Sequence, residues 1–192
     1  ISSKPLPDAV VAEIVEKTDG VPLFVEELTK AVLESGLLVD REGRYELAGT
    51  LESLRIPATL HDSLMARLDR VLPVKEIGQI GAVIGREFSY ELLAAIAPMD
   101  EPALGQALES LVRSELIYQR GTPPQAVYVF QHALVQDAAY DSLLKSRRAE
   151  LHQHIANALE TRPGDSVDTQ PEIIAHHYSA AGLAERAVPY WL

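Results

Sequence analysis

His132 is the residue whose type and placement could do chemistry. It stands after Val127-Tyr128-Val129-Phe130, a short β run, and before a helical period in which Leu134, Ala138 and Leu143 can share a face. At a strand-to-helix junction the first backbone N–H groups of the helix point outward and favour anions, so an imidazole there could sense a phosphate. A histidine that only caps or packs is the commoner occupant of such a position, and the local residues leave both readings open. Other chemistry is poorly supported. The stretch Gly78-Gln79-Ile80-Gly81-Ala82-Val83-Ile84-Gly85 has glycines but no lysine, so it is no phosphate-binding loop, and its helical period reads as close helix packing. The chain alone therefore has no means of hydrolysing a nucleotide. His152 and His154 lie two apart and diverge on a helix, while His176 and His177 are adjacent. Neither pair has the i, i+4 spacing of a helical zinc site, and no metal is expected. A Gly-x-Ser-x-Gly elbow is absent, so no catalytic residue is assigned. Lys145, Arg147 and Arg148 form the only basic cluster and read as a solvated helix start rather than a DNA contact.

The elements that must position His132 are mostly helical. Pro7 opens a first helix whose stripe is Val10, Val11, Ile14 and Val15, ending at Thr18-Asp19-Gly20. After Val21-Pro22 a second helix carries Leu23, Phe24, Leu28, Ala31, Val32 and Leu33, with Glu26 and Glu27 expected in its first turn. Leu37 to Val39 and Tyr45 to Leu47 flank a turn containing Gly43, the pattern of a small hairpin, and Gly49 to Pro57 reads as a linker. Helices follow from Thr59 or Leu60 to Leu72 and from Val74 to Ile84. Ser89 is expected to cap Tyr90 to Ala97, and Asp100 the helix carrying Leu104, Leu108, Leu111 and Val112. β runs at Leu116 to Gln119 and Val127 to Phe130 enclose Gly121-Thr122-Pro123-Pro124. Three helices and a two-stranded hairpin is the order of a winged helix. The helix from His132 to Leu144 has no internal Pro or Gly break and is expected to bridge onward. Ser146 is expected to cap a helix through Leu159, followed by a polar loop from Arg162 to Gln170 and helices at Pro171 to Ala181 and Ala184 to Leu192, the kind of pairs that build helical-repeat arrays.

The 192 residues are 47% hydrophobic and 23% charged, enough for a real core in one or two domains. A formal charge of -11 argues against a general binder of nucleic-acid backbone. Cysteine is absent, which excludes thiolate chemistry and suits a reducing, cytoplasmic setting. No apolar run approaches the length of a membrane span. The chain lacks an initiator Met and stops within the helical pattern Tyr190-Trp191-Leu192, so a segment of a longer protein is expected.

Thr18-Asp19-Gly20-Val21-Pro22-Leu23-Phe24-Val25-Glu26-Glu27-Leu28 resembles the end of the ATPase module in bacterial signal-transduction ATPases with numerous domains (AAA/NACHT-like), the group shared by class III adenylate/guanylate cyclase fusions and LuxR/MalT-type regulators. Ile80 to Phe88 and Tyr128 to Tyr140 resemble the winged-helix part of the same proteins. His176-His177-Tyr178 with Ala187-Val188-Pro189-Tyr190-Trp191-Leu192 resembles the first helices of the tetratricopeptide-like array that follows. The resemblance implies an all-α chain with small β-hairpins: a helical lid subdomain at 1–48, a winged-helix domain at 58–144 and the start of a helical-repeat domain at 146–192. In that family the Gly-x-Pro turn brings its proline against the nucleotide base, a role that falls here on Gly20 and Pro22. In related plant and animal ATPases a Met-His-Asp motif opens the last winged-helix helix, and its histidine contacts the β-phosphate of ADP. His132 is similar in position, with Gln131 in place of the methionine and Ala133 in place of the aspartate, so the aspartate's share is not carried over.

The resemblance implies a regulatory fragment whose ATP or ADP belongs to the parent protein, with no cofactor expected on the isolated chain. Its partners would be an upstream nucleotide-binding core in cis and a protein bound through the helical repeats, with an adenylate or guanylate cyclase as output. Two alternatives come from other classes. A winged-helix transcriptional regulator would read DNA through the helix from Ala103 to Ile117, but Glu109, Arg113 and Glu115 give that helix no positive excess. A scaffold would bind a protein through Ser146 to Leu192 alone.

Overall fold

The computed structural model describes residues 4–41, 43–50, 59–69, 74–161 and 171–191. Helices dominate, with two small antiparallel sheets among the described residues, and the chain divides into two compact units, Ile1–Arg67 and Leu68–Leu192. The expected linker from Gly49 to Pro57, the helix end at Val71 to Pro73 and the loop from Arg162 to Gln170 lie largely or wholly outside the described residues.

In the first unit, α1 (Asp8–Thr18) and α2 (Pro22–Glu34) form a helical pair, joined by a turn in which Asp19 and Gly20 both take positive φ. Val10 and Ile14 turn inward against Phe24, Leu28 and Val32, with Leu6, Val25, Leu37, Leu38 and Leu47 around them. Val11 and Val15, also expected on the apolar stripe, are 43% and 60% exposed. A stripe with a single helix to cover it buries only the positions that point at that neighbour. Glu26 and Glu27 fall one turn later than expected, because α2 starts at Pro22. The hairpin of β1 (Leu38–Arg41) and β2 (Arg44–Leu47) pairs Leu38 with Leu47 and Val39 with Glu46, and Gly43 supplies φ +89° at its turn.

The second unit is built on α4 (Val74–Ile84), which follows α3 (Leu60–Asp69). Ile77, Ile80 and Val83 of α4 are buried, and its glycines mark the expected close packing. A Cβ on Gly81 would lie 2.8 Å from the Phe88 ring, and one on Gly78 would lie 3.2 Å from Leu68. Ser89 caps α5 (Tyr90–Ile96) by accepting from the Leu92 N–H at 3.2 Å. Asp100 caps α6 (Glu101–Arg113) by accepting from the Ala103 N–H at 3.0 Å. Both caps follow from residue type alone, and Ser89→Ala and Asp100→Ala should each cost about 1 kcal/mol, read as a lower urea midpoint with an unchanged slope.

Beyond the expected hairpin, the sheet of this unit has a third strand. β3 (Glu87–Ser89) and β4 (Ile117–Arg120) flank the central β5 (Val127–Phe130) in the order β3-β5-β4, all antiparallel. Phe88 pairs with Tyr128 across the ladder, and their rings stack with centroids 5.8 Å apart. After β5 the chain enters α7 (Ala133–Asp141), whose inward residues are Val135, Ala138 and Ala139. Leu134, expected on that face, is 46% exposed. Gln136 Nε2 donates to the Ala82 carbonyl at 3.2 Å, and Gln79 Nε2 donates to Ser142 Oγ at 2.7 Å, fastening this end of the unit to α4. The expected continuous helix from His132 to Leu144 stops at Asp141, where Ser142 caps the carbonyl end through its own N–H and hydroxyl. α8 (Lys145–Thr161) starts one residue before Ser146, so Ser146 lies within the helix rather than at its cap. α9 (Pro171–Ala180) packs on α8, and α10 (Ala184–Trp191) packs on α9 after a turn with Gly182 at φ +77°.

Candidate functional site

Gly20 and Pro22 sit together in the turn between α1 and α2, within the first unit. Thr18 to Gly20 ends one helix and Pro22 opens the next at its first position, where the missing N–H costs nothing. The turn is closed by the Val21 N–H donating to the Thr18 carbonyl at 2.9 Å. Gly20 is required by its φ of +74°, as open space surrounds the place a Cβ would take. Gly20, Val21 and Pro22 are all exposed, so the turn presents its surface outward.

His132 belongs to the second unit. It occupies the N-cap position of α7 with extended φ −132° and ψ 145°, while its carbonyl accepts from the Val135 N–H at 3.1 Å. Its imidazole makes no capping hydrogen bond, and the ring is half-buried. Of the reading in which the histidine only caps or packs, capping is removed and packing remains. The approach is held on either side by the Phe130 N–H donating to the Arg86 carbonyl at 3.0 Å and the Gln131 N–H donating to the Leu116 carbonyl at 3.0 Å. The backbone at this junction is thus fixed by the sheet and does not depend on the imidazole.

The structure also gathers histidines that the sequence leaves apart. His152 of α8 and His177 of α9 are each only 2% exposed, and their Nδ1 atoms lie 2.7 Å apart. Tyr140 Oη of α7 is 3.1 Å from His152 Nε2, so the phenol and two imidazoles form one chain of hydrogen bonds across three helices. The His176 ring is 5.9 Å from that of His152 and 5.4 Å from that of His177. Arg148 places its guanidinium 4.5 Å from the centre of the Tyr140 ring and donates to the Leu143 and Asp141 carbonyls. Burial, reinforced by the neighbouring His176, holds His152 down to about 4. Burial with the two other histidines holds His177 down to about 3. Both rings are neutral at pH 7. Among the described residues no group of three or more His, Cys, Asp or Glu side chains could hold a metal ion.

Spacing rules overlooked this cluster because they test pairs on one helix, whereas His152 and His177 are 25 residues apart. A signal was present: His152 shares the buried face of α8 with Leu151, Ile155 and Leu159, and His177 that of α9 with Ile174 and Tyr178. A histidine on an apolar stripe needs a buried polar partner.

The basic cluster is drawn into the fold. Arg147 pairs with Glu76 at 3.3 Å and Glu150 at 3.2 Å, and Arg148 with Asp141 at 3.2 Å. A cleft of about 420 Å³ lies between α5 and α8, lined by Ala95, Ile96, His154, Asn157, Ala158 and Thr161. Another of about 400 Å³ lies in the first unit beside Pro5 to Asp8 and Arg44 to Leu47. Neither includes Gly20, Pro22 or His132. No helix among the described residues is long and apolar enough to cross a membrane.

No family model matches the chain. It is 28% identical over 174 residues, 90% of its length, to an uncharacterized protein of Rhizobium meliloti (strain 1021). That alignment covers 16% of the relative, so the chain spans about a sixth of the length of the curated protein it matches.

Proposed function

We propose that this chain is a regulatory segment of an ATP-dependent signalling protein, coupling the nucleotide state of an upstream ATPase core to a sensor or output domain, with an adenylate or guanylate cyclase as the output. The observation that carries this reading is the imidazole of His132, set at the N-cap position of α7 and used for no cap. The element order α4, β3, α5, α6, β4, β5 with strands ordered β3-β5-β4 supports a winged helix in front of that histidine, and the successive packing of α8, α9 and α10 supports the start of a tetratricopeptide-like array behind it. Alignment to one sixth of a much longer protein is in keeping with a multidomain parent.

In this account the ligand is ADP held by the upstream core. His132 would donate a hydrogen bond to a phosphate oxygen, and the exposed Gly20-Val21-Pro22 turn would lie against the base. Such contacts favour one arrangement of the parent protein in the ADP state, and exchange for ATP shifts the population. A charge-assisted hydrogen bond worth roughly 1.5 to 3 kcal/mol biases such an equilibrium by about ten- to a hundredfold. α6, which a DNA-reading winged helix would place in the major groove, exposes Glu101 and Glu109 against the single cation Arg113, and so lacks the charge to meet phosphates.

The isolated chain is expected to bind no ADP in a calorimetric titration, while the longer protein with its upstream core binds it. ADP binding by the 192 residues alone, or a parent without a phosphate-binding loop upstream, would overturn the proposal. A salt-dependent shift of duplex DNA by the chain would favour the transcription-regulator alternative instead.

A further inference from the structure

We propose that His152 and His177 form an acid-labile clasp between α8 and α9, closed while one proton lies between the two Nδ1 atoms and open once both rings are protonated. The 2.7 Å separation leaves room for a single hydrogen. In the neutral pair one ring donates its Nδ1–H to the bare Nδ1 of the other, and Tyr140 Oη serves His152 Nε2 as donor or acceptor according to the tautomer. A first added proton can still be accommodated: His152 protonated on both nitrogens donates to His177 and to Tyr140, at the cost of a buried cation. A second proton sets N–H against N–H, removes the hydrogen bond and leaves two cations with ring centres 5.0 Å apart. Only opening to water relieves that state.

Among the described residues no carboxylate is paired with either ring, and Asp141 of α7 is engaged by Arg148. α7 contributes the neutral Tyr140, α8 the cation Arg148, and α9 the third imidazole His176. Glu76 of α4 is engaged by Arg147, and Glu160 of α8 by Arg186 of α10 and Tyr190. Glu150 of α8 is engaged by Arg147. Burial depresses both imidazoles in the folded state below their ordinary 6.5, so the unfolded or opened chain binds more protons as pH falls. Above 6.5 the clasp is at full strength, and between 6.5 and about 4 it is progressively lost. The loss approaches tenfold in the opening equilibrium per imidazole per pH unit, and so as much as a hundredfold for the pair. α9 is the element released, and α10 packs on it.

Hydrogen exchange of the α9 and α10 amides, followed in the whole chain from about pH 7 to about pH 5 and corrected for the intrinsic rate, reads this opening directly. Their opening constant should rise ten- to a hundredfold per pH unit in the wild type and at most tenfold in His177→Gln, with His154→Gln following the wild type. The Cε1 NMR signals of His152 and His177 in the folded wild type should not titrate above about pH 5, a measurement that stands even if His177→Gln does not fold. Opening independent of pH, or titration of either buried ring near pH 6.5 with the helices intact, overturns the proposal.

Discussion

Phe88→Ala should destabilise the second unit by about 3 to 5 kcal/mol, the largest single-residue effect expected in it. Phe88 is 2% exposed and fills the space between α4 and the sheet. Its ring stacks on Tyr128, meets Phe130 at 5.7 Å between centroids, and lies where Gly81 has no side chain. Truncation would leave a cavity bounded by two aromatic rings, anchored by the β ladder, and by a helix backbone, none of which can collapse cheaply. The cost therefore combines lost burial with an unfilled void. Chemical denaturation with an unchanged slope should show it as a lower midpoint. Glu87→Ala, one residue away, removes only an exposed pair with Arg120 and should change stability by less than about 1 kcal/mol. A loss below about 1 kcal/mol for Phe88→Ala would mean that the unit is not built around this ring.

What was legible in the sequence divides along the range of the interactions responsible. Ser89 and Asp100 were readable as caps because a cap depends on one side chain and the N–H groups two or three residues on. The turn at Gly20 and the hairpin at Gly43 were readable because positive φ is a local demand. β3 was not, since Glu87-Phe88-Ser89 is too short to show a period and becomes a strand only through pairing with β5, some forty residues later. The sequence of β5 held a hint: Val-Tyr-Val-Phe has no polar alternation, as suits a central strand buried on both faces. The stripes of α1 and α7 were read too widely, because periodicity marks positions able to face a neighbour and cannot say how much neighbour there is.

The site divides in the same way. The turn at Gly20 and Pro22 and the strand-to-helix junction at His132 were readable because both are local, whereas a role for these residues in a site comes from the family resemblance alone. In the proposed account their chemistry depends on a ligand brought by other residues of a longer protein, which local physics does not encode. The pair His152 and His177 is the converse case. Everything it needs lies within the second unit, yet its partners come together only when α7, α8 and α9 pack.

His132 accordingly carries the second large expectation, and in the parent protein it is one of affinity rather than stability. Because its imidazole caps nothing and the backbone is held before it by the sheet and after it by α7, His132→Ala should leave the denaturation midpoint of the isolated chain within about 0.5 kcal/mol of wild type. The most direct measurement is ADP affinity of the full-length protein with and without this substitution. The account predicts roughly ten- to a hundredfold weaker ADP binding, together with altered output. Unchanged ADP affinity and unchanged output in a folded His132→Ala protein would contradict it.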